Sequence, residues 1–414
     1  MDKRSYALVT AAYWGFTLTD GALRMLVLLH FHDLGYTPVN LAFLFLLYEF
    51  CGILTNLFGG WIGSRLGLRV TLFSGLAIQV VALTMLSLIQ PTWAASLSVA
   101  YVMASQALSG IAKDLTKMSS KSAVKLLVKD DGAAESQSAL FKWVAILTGS
   151  KNALKGLGFL LGGVLLGRLG FAPSLWAMAG ALAVVLLCSV AMLKADMGKS
   201  TSKLKFSELF SKSREINVLS IARFFLFGSR DVWFVVGLPI FLASQLKWSF
   251  AGVGGFLAAW VIGYGFVQAA APSFANRKGG AAAGARSAQI WGFALLIVSA
   301  AIALGIQFDF YPALTILVGL ALFGVVFAVN SSVHSYLILA YTDSDKVALN
   351  VGFYYMANAC GRLTGTLLSG VTYLLGGLSG CLWTSTALVL ASAVLTLSLP
   401  VKQEVPAAVG ERVA

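Results

Sequence analysis

Charge is what this sequence has least of. Only 11% of its 414 residues are Asp, Glu, Lys or Arg, while 58% are hydrophobic; soluble domains carry about 25% charge and a roughly even apolar share. No soluble fold hides that much apolar surface, so a water-soluble enzyme or scaffold of two or three domains is excluded. Cysteine is scarce too. Cys51, Cys188, Cys360 and Cys381 are widely spaced in apolar surroundings, which excludes a vicinal-thiol pair and a cysteine metal centre. The three histidines, His30, His32 and His334, are unclustered, so a zinc or haem membrane enzyme has no ligand set. No nucleophile with an orienting base stands out either, and neither a catalytic residue nor a cofactor is expected.

What the chain has instead is length after length of apolar sequence. Each run is near the ~20 residues needed to cross a bilayer core, and the lipid bilayer is therefore the expected surroundings. The runs predict an all-α membrane protein with twelve transmembrane helices, at 7–31, 38–60, 70–90, 94–117, 139–166, 173–194, 216–242, 249–275, 287–307, 311–340, 348–374 and 378–399. A basic stretch from Lys194 to Arg214 divides them into two sets of six. The domains read as an N-terminal half over 1–193, a basic linker over 194–215, a C-terminal half over 216–400 and a tail over 401–414.

The 30 Lys and Arg outnumber the 17 acids, and their placement is a topology signal, because basic connections stay on the cytoplasmic side. The even-numbered connections are the basic ones, with Arg65, Arg69, Lys117, Lys121, Lys125, Arg277, Lys278 and Lys346 among them, whereas the opposite side keeps Arg168 and Lys247. Both termini are expected in the cytoplasm, of a bacterial inner membrane. A nucleic-acid partner is not expected, since such binding wants a basic face on a soluble module. The first span is too long for a cleavable signal and carries Asp20 and Arg24.

The two halves repeat each other. Leu34 to Thr37 aligns with Leu246 to Ser249, and Ser64 to Gly67 with Asn276 to Gly279. Lys155, Gly158, Leu161, Gly163 and Val164 of the fifth span align with Arg362, Gly365, Leu368, Gly370 and Val371 of the eleventh. A cation thus recurs at one depth in both halves, and duplication of this kind is common among transporters.

The turn after the second span, Gly60-Trp-Ile-Gly-Ser-Arg65-Leu-Gly67-Leu-Arg69, resembles the signature loop of the major facilitator superfamily. Ser64 stands where that family usually has Asp. The fifth span's Gly158-Phe-Leu-Leu-Gly162-Gly163 is similar to the family's antiporter motif, with Phe159 in place of Pro. The resemblance implies two six-helix halves around a central path. A finer likeness lies in Thr19-Asp-Gly-Ala-Leu-Arg24-Met, Tyr48-Glu-Phe, Ser109-Gly-Ile-Ala-Lys113-Asp-Leu-Thr-Lys117-Met-Ser and Lys142-Trp-Val-Ala-Ile-Leu-Thr-Gly-Ser-Lys151-Asn-Ala-Leu-Lys155-Gly. These segments resemble the organoarsenical efflux permeases, the ArsJ family, densely in the first half and more loosely in the second. That likeness implies export of the arsenate ester of phosphoglycerate, arsenate resistance, and a functional link to the glyceraldehyde-phosphate dehydrogenase that forms the ester.

A charge at the bilayer centre costs at least ~2.5 to 3.5 kcal/mol, so ionisable residues inside a span read as functional and paired. Lys113, Lys142 and Arg223 fall near span ends, where snorkelling accounts for them. Arg24, Lys151, Lys155, Arg230 and Arg362 remain, against the acids Asp20, Glu49 and Asp231. Pairing cannot neutralise that set. Thr17, Asp20 and Arg24 share one helix face, Thr148, Lys151 and Lys155 another, and Asn358 and Arg362 a third. If these faces converge, a small anionic substrate is the natural occupant, because arginine offers a planar fork to oxyanions and lysine a point charge. Structural readings stand beside this one. Asp20 with Arg24 reads equally as an intrahelical ion pair, and Arg230 with Asp231 as another. Glu49 is either protonated or paired with an arginine across the bundle.

The expected function is secondary transport, by a monomer, of an organic anion. An organic-phosphate exchanger and a proton-coupled drug exporter of the same superfamily are the alternatives. The drug exporter would favour an aromatic cavity with few cations.

Overall fold

The computed structural model describes residues 3–90, 92–127, 134–193, 213–274, 280–342 and 347–401, and within these the regular structure is helical throughout. Most of the predicted linker, and the tail beyond residue 401, lie outside the described residues. The helices are α1 (Lys3–Asp33), α2 (Pro38–Ser87), α3 (Ala95–Leu127), α4 (Ala134–Leu169), α5 (Phe171–Met192), α6 (Arg214–Phe234), α7 (Gly237–Ile240), α8 (Phe250–Phe274), α9 (Gly280–Gln307), α10 (Pro312–Ala340) and α11 (Val347–Thr396). A single π-helical turn over Phe241–Gln245 extends α7.

Two helices are too long for one crossing, and glycine divides both. In α2 the break is at Gly67, whose φ of 78° suits a residue without Cβ; in α11 it is at Gly376 and Gly377, the latter at φ 59°. The chain therefore crosses twelve times, α6, α7 and the π turn together making one interrupted pass. Nine stretches of described helix are apolar enough to cross a membrane by length and composition. The long helices missing from those nine are α1 and α4, whose middles carry Asp20 and Arg24, and Lys151 and Lys155. Local capping fits the breaks. Thr37 accepts a hydrogen bond from the Asn40 backbone N–H at 3.3 Å with Pro38 at the first helical position. Where α6 gives way to α7, the free N–H groups of Val236 and Gly237 donate to Ser369 Oγ of α11 at 3.2 and 3.1 Å.

The glycine run of the fifth span seats α4 between two neighbours. A Cβ on Gly162 would overlap the Ala22 carbonyl of α1, and one on Gly163 the Phe250 carbonyl at the start of α8. Small residues let these backbones meet, and the contact places Lys155 beside the polar stripe of α1.

The apolar core is continuous at one end of the bundle and divided at the other. One cluster joins the end of α1 (Ala22 to Phe31) and the start of α2 to Val232 to Leu242, the start of α8 and Leu378 of α11. Toward the end where α1 begins there are two separate clusters. The first holds Tyr6, Val9, Tyr13, Phe16, Leu72 and Leu182; the second holds Ile216, Leu219, Ala285, Val333, Leu337 and Tyr354. Among the described residues the halves are thus sealed together at one end and share no apolar core at the other.

Candidate functional site

Between the shared core and the divided one, the charged residues meet. Arg362 of α11 donates from Nη2 to Glu49 Oε1 of α2 at 2.6 Å and from Nε to Asp231 Oδ2 of α6 at 3.3 Å. Arg24 of α1 donates to the same Glu49 oxygen at 3.3 Å. Arg230 closes the far end, its Nε and Nη2 lying 2.7 and 2.5 Å from Asp231 Oδ1. A chain of five charges, Arg24, Glu49, Arg362, Asp231 and Arg230, therefore runs from one half of the molecule to the other. Glu49 and Asp231 are each 1% exposed, and every acid in the chain is shared between two arginines.

A small cavity of about 80 Å³ adjoins this chain, lined by Thr17 and Asp20 of α1, Tyr48 and Asn56 of α2, Lys113, Asp114 and Lys117 of α3, Lys151 and Lys155 of α4, and Arg362. It has room for several waters or one oxyanion group. Tyr48 organises one wall. Its hydroxyl donates to Asp20 Oδ1 at 2.8 Å, and the Lys113 ammonium lies 3.9 Å from its ring centroid, a cation–π contact. Lys117 is 3.5 Å from Asp114 and donates to Asn56 at 3.1 Å, while Thr55 donates to the other Asp114 oxygen.

The charges do not cancel. Arg24, Lys113, Lys117, Lys151, Lys155, Arg230 and Arg362 face four carboxylates, Asp20, Glu49, Asp114 and Asp231, which leaves three positive charges over. Among the described residues, Arg24 Nη2 of this network and Asn358 Oδ1, one turn from Arg362, are buried without a hydrogen-bond partner.

Several expectations change here. Asp20 and Arg24 are not each other's partners: Asp20 accepts from Tyr48, and the carboxylate of Arg24 is Glu49. Of the two readings of Glu49, pairing across the bundle is the one the structure shows, and it is double. Arg230 and Asp231 do pair, but Asp231 also serves Arg362. Snorkelling accounts for neither Lys113 nor Arg223. Lys113 lines the cavity, and Arg223, 3% exposed, donates to the Ser331 carbonyl and hydroxyl at 2.9 and 3.0 Å while stacking 4.0 Å from the Phe227 centroid. Asn358 sits one turn before Arg362 but does not line the cavity. In the turn after the second span, Gly67 supplies the break and Arg69 lies 5.3 Å from the Phe73 ring centroid. The side chains of Arg65, Lys142 and Thr148, and the surroundings of Gly60, lie outside the described residues. Asp114 and Lys117 were missing from the expected site. Their signal is the spacing of Lys113 and Lys117, one turn apart and therefore on one face.

The pieces of this site come from α1, α2, α3, α4, α6 and α11, and among the described residues no group of three His, Cys, Asp or Glu could hold a metal. Among the described residues the arrangement is a set of ion pairs beside a small polar cavity. No curated protein sequence matches the chain. A crystal structure of the nucleoside transporter NupG, in a mutant form, superposes with a TM-score of 0.71 over 95% of this chain and 98% of that one, at 14% identity, which is a likeness of fold. The family model of the Major Facilitator Superfamily matches residues 8–282. The chain belongs to that superfamily, and is a multi-pass membrane protein of secondary transport rather than an enzyme.

Proposed function

We propose that this transporter exports a small organic polyanion, the arsenate ester of phosphoglycerate, from the cytoplasm. The observation that carries the reading is the cationic surplus at the cavity, which a neutral solute such as a nucleoside leaves uncompensated. The choice of ester rests on the resemblance to organoarsenical permeases. The segments that carry it contribute Asp20 and Arg24, Tyr48 and Glu49, Lys113 and Lys117, and Lys151 and Lys155, and these residues converge on one site. With the basic connections inside, the end of the bundle where α1 begins faces the cytoplasm, where a glyceraldehyde-phosphate dehydrogenase using arsenate makes the ester. The halves 1–193 and 216–400 then rock about the site, tied by the linker.

Inside-out membrane vesicles test this. Supplied with arsenate, glyceraldehyde 3-phosphate, oxidised nicotinamide cofactor and the dehydrogenase, they are expected to accumulate arsenic only when every component is present. Equal accumulation of the acyl phosphate when phosphate replaces arsenate identifies an organic-phosphate exchanger instead. Accumulation of neither overturns the anion reading.

Arsenic is met here as an oxyanion rather than as a thiol-seeking metalloid. Cys51 and Cys360 are half-buried, Cys188 exposed and Cys381 buried, all as free thiols, and none lines the cavity. A variant with Ala at all four is expected to keep most of its transport in the same vesicles. Complete loss from a correctly inserted protein would point to thiolate ligation.

A further inference from the structure

The end of the bundle where α1 ends carries little basic charge, and what there is gathers at one seam. Arg168 lies in the last turn of α4, and Lys247 directly precedes Trp248 in the stretch that leads into α8. These are the two cations left on the side opposite the basic connections, against the bias that keeps Lys and Arg away from it. Both are exposed, and among the described residues neither lies within ion-pair distance of a carboxylate.

Beside them is a cleft of about 500 Å³, several times the volume of the central cavity. Gly163, Gly167 and Arg168 of α4, in one half of the molecule, face Trp248, Ser249 and Phe250 of the other half. The two backbones meet at Gly163, where a Cβ would overlap the Phe250 carbonyl, whereas a Cβ at Gly167, one turn on, would meet nothing within 4 Å. The cleft thus widens from a tight contact to free space beside Arg168. That guanidinium is the one charged group on a lining otherwise made of apolar side chains, glycine and the Ser249 hydroxyl. A polar solute finds few partners along such a wall. A molecule with an anionic head and an apolar chain matches both parts of it, and a tryptophan at the end of a membrane crossing stands at headgroup depth.

We infer that this cleft binds an anionic phospholipid, with its phosphate at Arg168 and Lys247 and the start of an acyl chain between α4 and α8, so that the lipid bridges the two halves. The arginine fork suits a phosphate oxygen pair, and the lysine adds a point charge. The site is separate from the central cavity and does not depend on which solute is carried.

Trp248 reports on its own cleft. The full-length protein is placed in nanodiscs of equal parts phosphatidylglycerol and phosphatidylethanolamine, with bromine on the acyl chains of one lipid or the other to quench any indole they touch. The quenching that Trp248→Phe removes belongs to this site. Phosphatidylglycerol is expected to be preferred there at least about fivefold, as one basic residue beside an anionic headgroup implies. In Arg168→Gln with Lys247→Gln the preference disappears; Arg168→Lys with Lys247→Arg keeps it, which separates loss of charge from loss of fold. Gly167→Leu fills the cleft while leaving both cations, and is also expected to lose the preference. A parent without preference, or a preference that survives the Gln pair, would place the headgroup elsewhere. A preference that survives Gly167→Leu would make the cations an interfacial anchor only. Loss of the preference when excess glycerol 3-phosphate is added would mean that the site takes a soluble phosphate rather than a lipid. Each of these results overturns the inference.

Discussion

Replacing Arg362 with Gln is expected to reduce export by at least about a hundredfold while leaving the protein inserted and folded. The size follows from the contacts a substrate would lose: among the described residues Arg362 alone touches both Glu49 and Asp231, at 2.6 and 3.3 Å, it lines the cavity, and each hydrogen bond it would give an anion is worth about 1.5 to 3 kcal/mol. Folding survives because neither acid is abandoned. Glu49 keeps Arg24 and Asp231 keeps Arg230. What is lost is the link between the halves and the guanidinium on the cavity wall. Gln at Arg24, or at Lys155, which lines the same cavity from α4, is expected to abolish export in the same way. Export of arsenic from vesicles, with membrane insertion followed by a fused fluorescent tag, measures both quantities. Near-normal export with any two of the three replaced removes these residues from the substrate path.

The twelve crossings were legible because a bilayer imposes a length on apolar sequence, and even the division of α11 at Gly376 and Gly377 falls in the gap between the spans predicted at 348–374 and 378–399. Pairing was not legible. Helical spacing places Asp20 and Arg24 on one face, but it says nothing of a neighbouring helix that offers Tyr48 to one and Glu49 to the other. Buried residues on different helices choose partners by proximity across the bundle, and a one-dimensional pattern does not contain that. The misreading of Lys113 has a simpler cause. The apolar stretch does end at Lys117, but the Lys113 side chain turns inward onto the Tyr48 ring and the cavity rather than outward along the helix. Arg223 is within three turns of the start of α6, yet Ser331, Phe227 and Tyr354 close over it. Snorkelling requires an open path to water, and tertiary packing removed it.

Export is expected to follow the membrane potential without an obligatory exchange for protons, and the position of Glu49 gives the sign. Proton antiport needs protonation to weaken anion binding. Glu49 looks at first suited to that, since its one oxygen holds both Arg24 and Arg362. On the proposed reading those arginines are also the donors for the substrate oxyanion, so the ionised Glu49 competes with the substrate for them. Adding a proton removes a negative charge from beside the bound anion and frees guanidinium donors. Both effects strengthen anion binding, so proton and anion travel together, and an inward proton gradient opposes export. In the empty carrier the same carboxylate neutralises the arginines in the substrate's place, which eases their return. An interior-negative potential, by contrast, favours anion exit by about 2.3 kcal/mol per charge per 100 mV, or ~7 kcal/mol for three net charges moved. Site charge that crosses with the substrate reduces this figure. Proteoliposomes with an imposed potassium diffusion potential and equal pH on both sides are expected to show accelerated efflux, and Glu49→Gln to bind the anion more tightly while turning over more slowly. Efflux that ignores the potential and follows a pH gradient would mean that Glu49 positions the arginines for the substrate instead of competing with it.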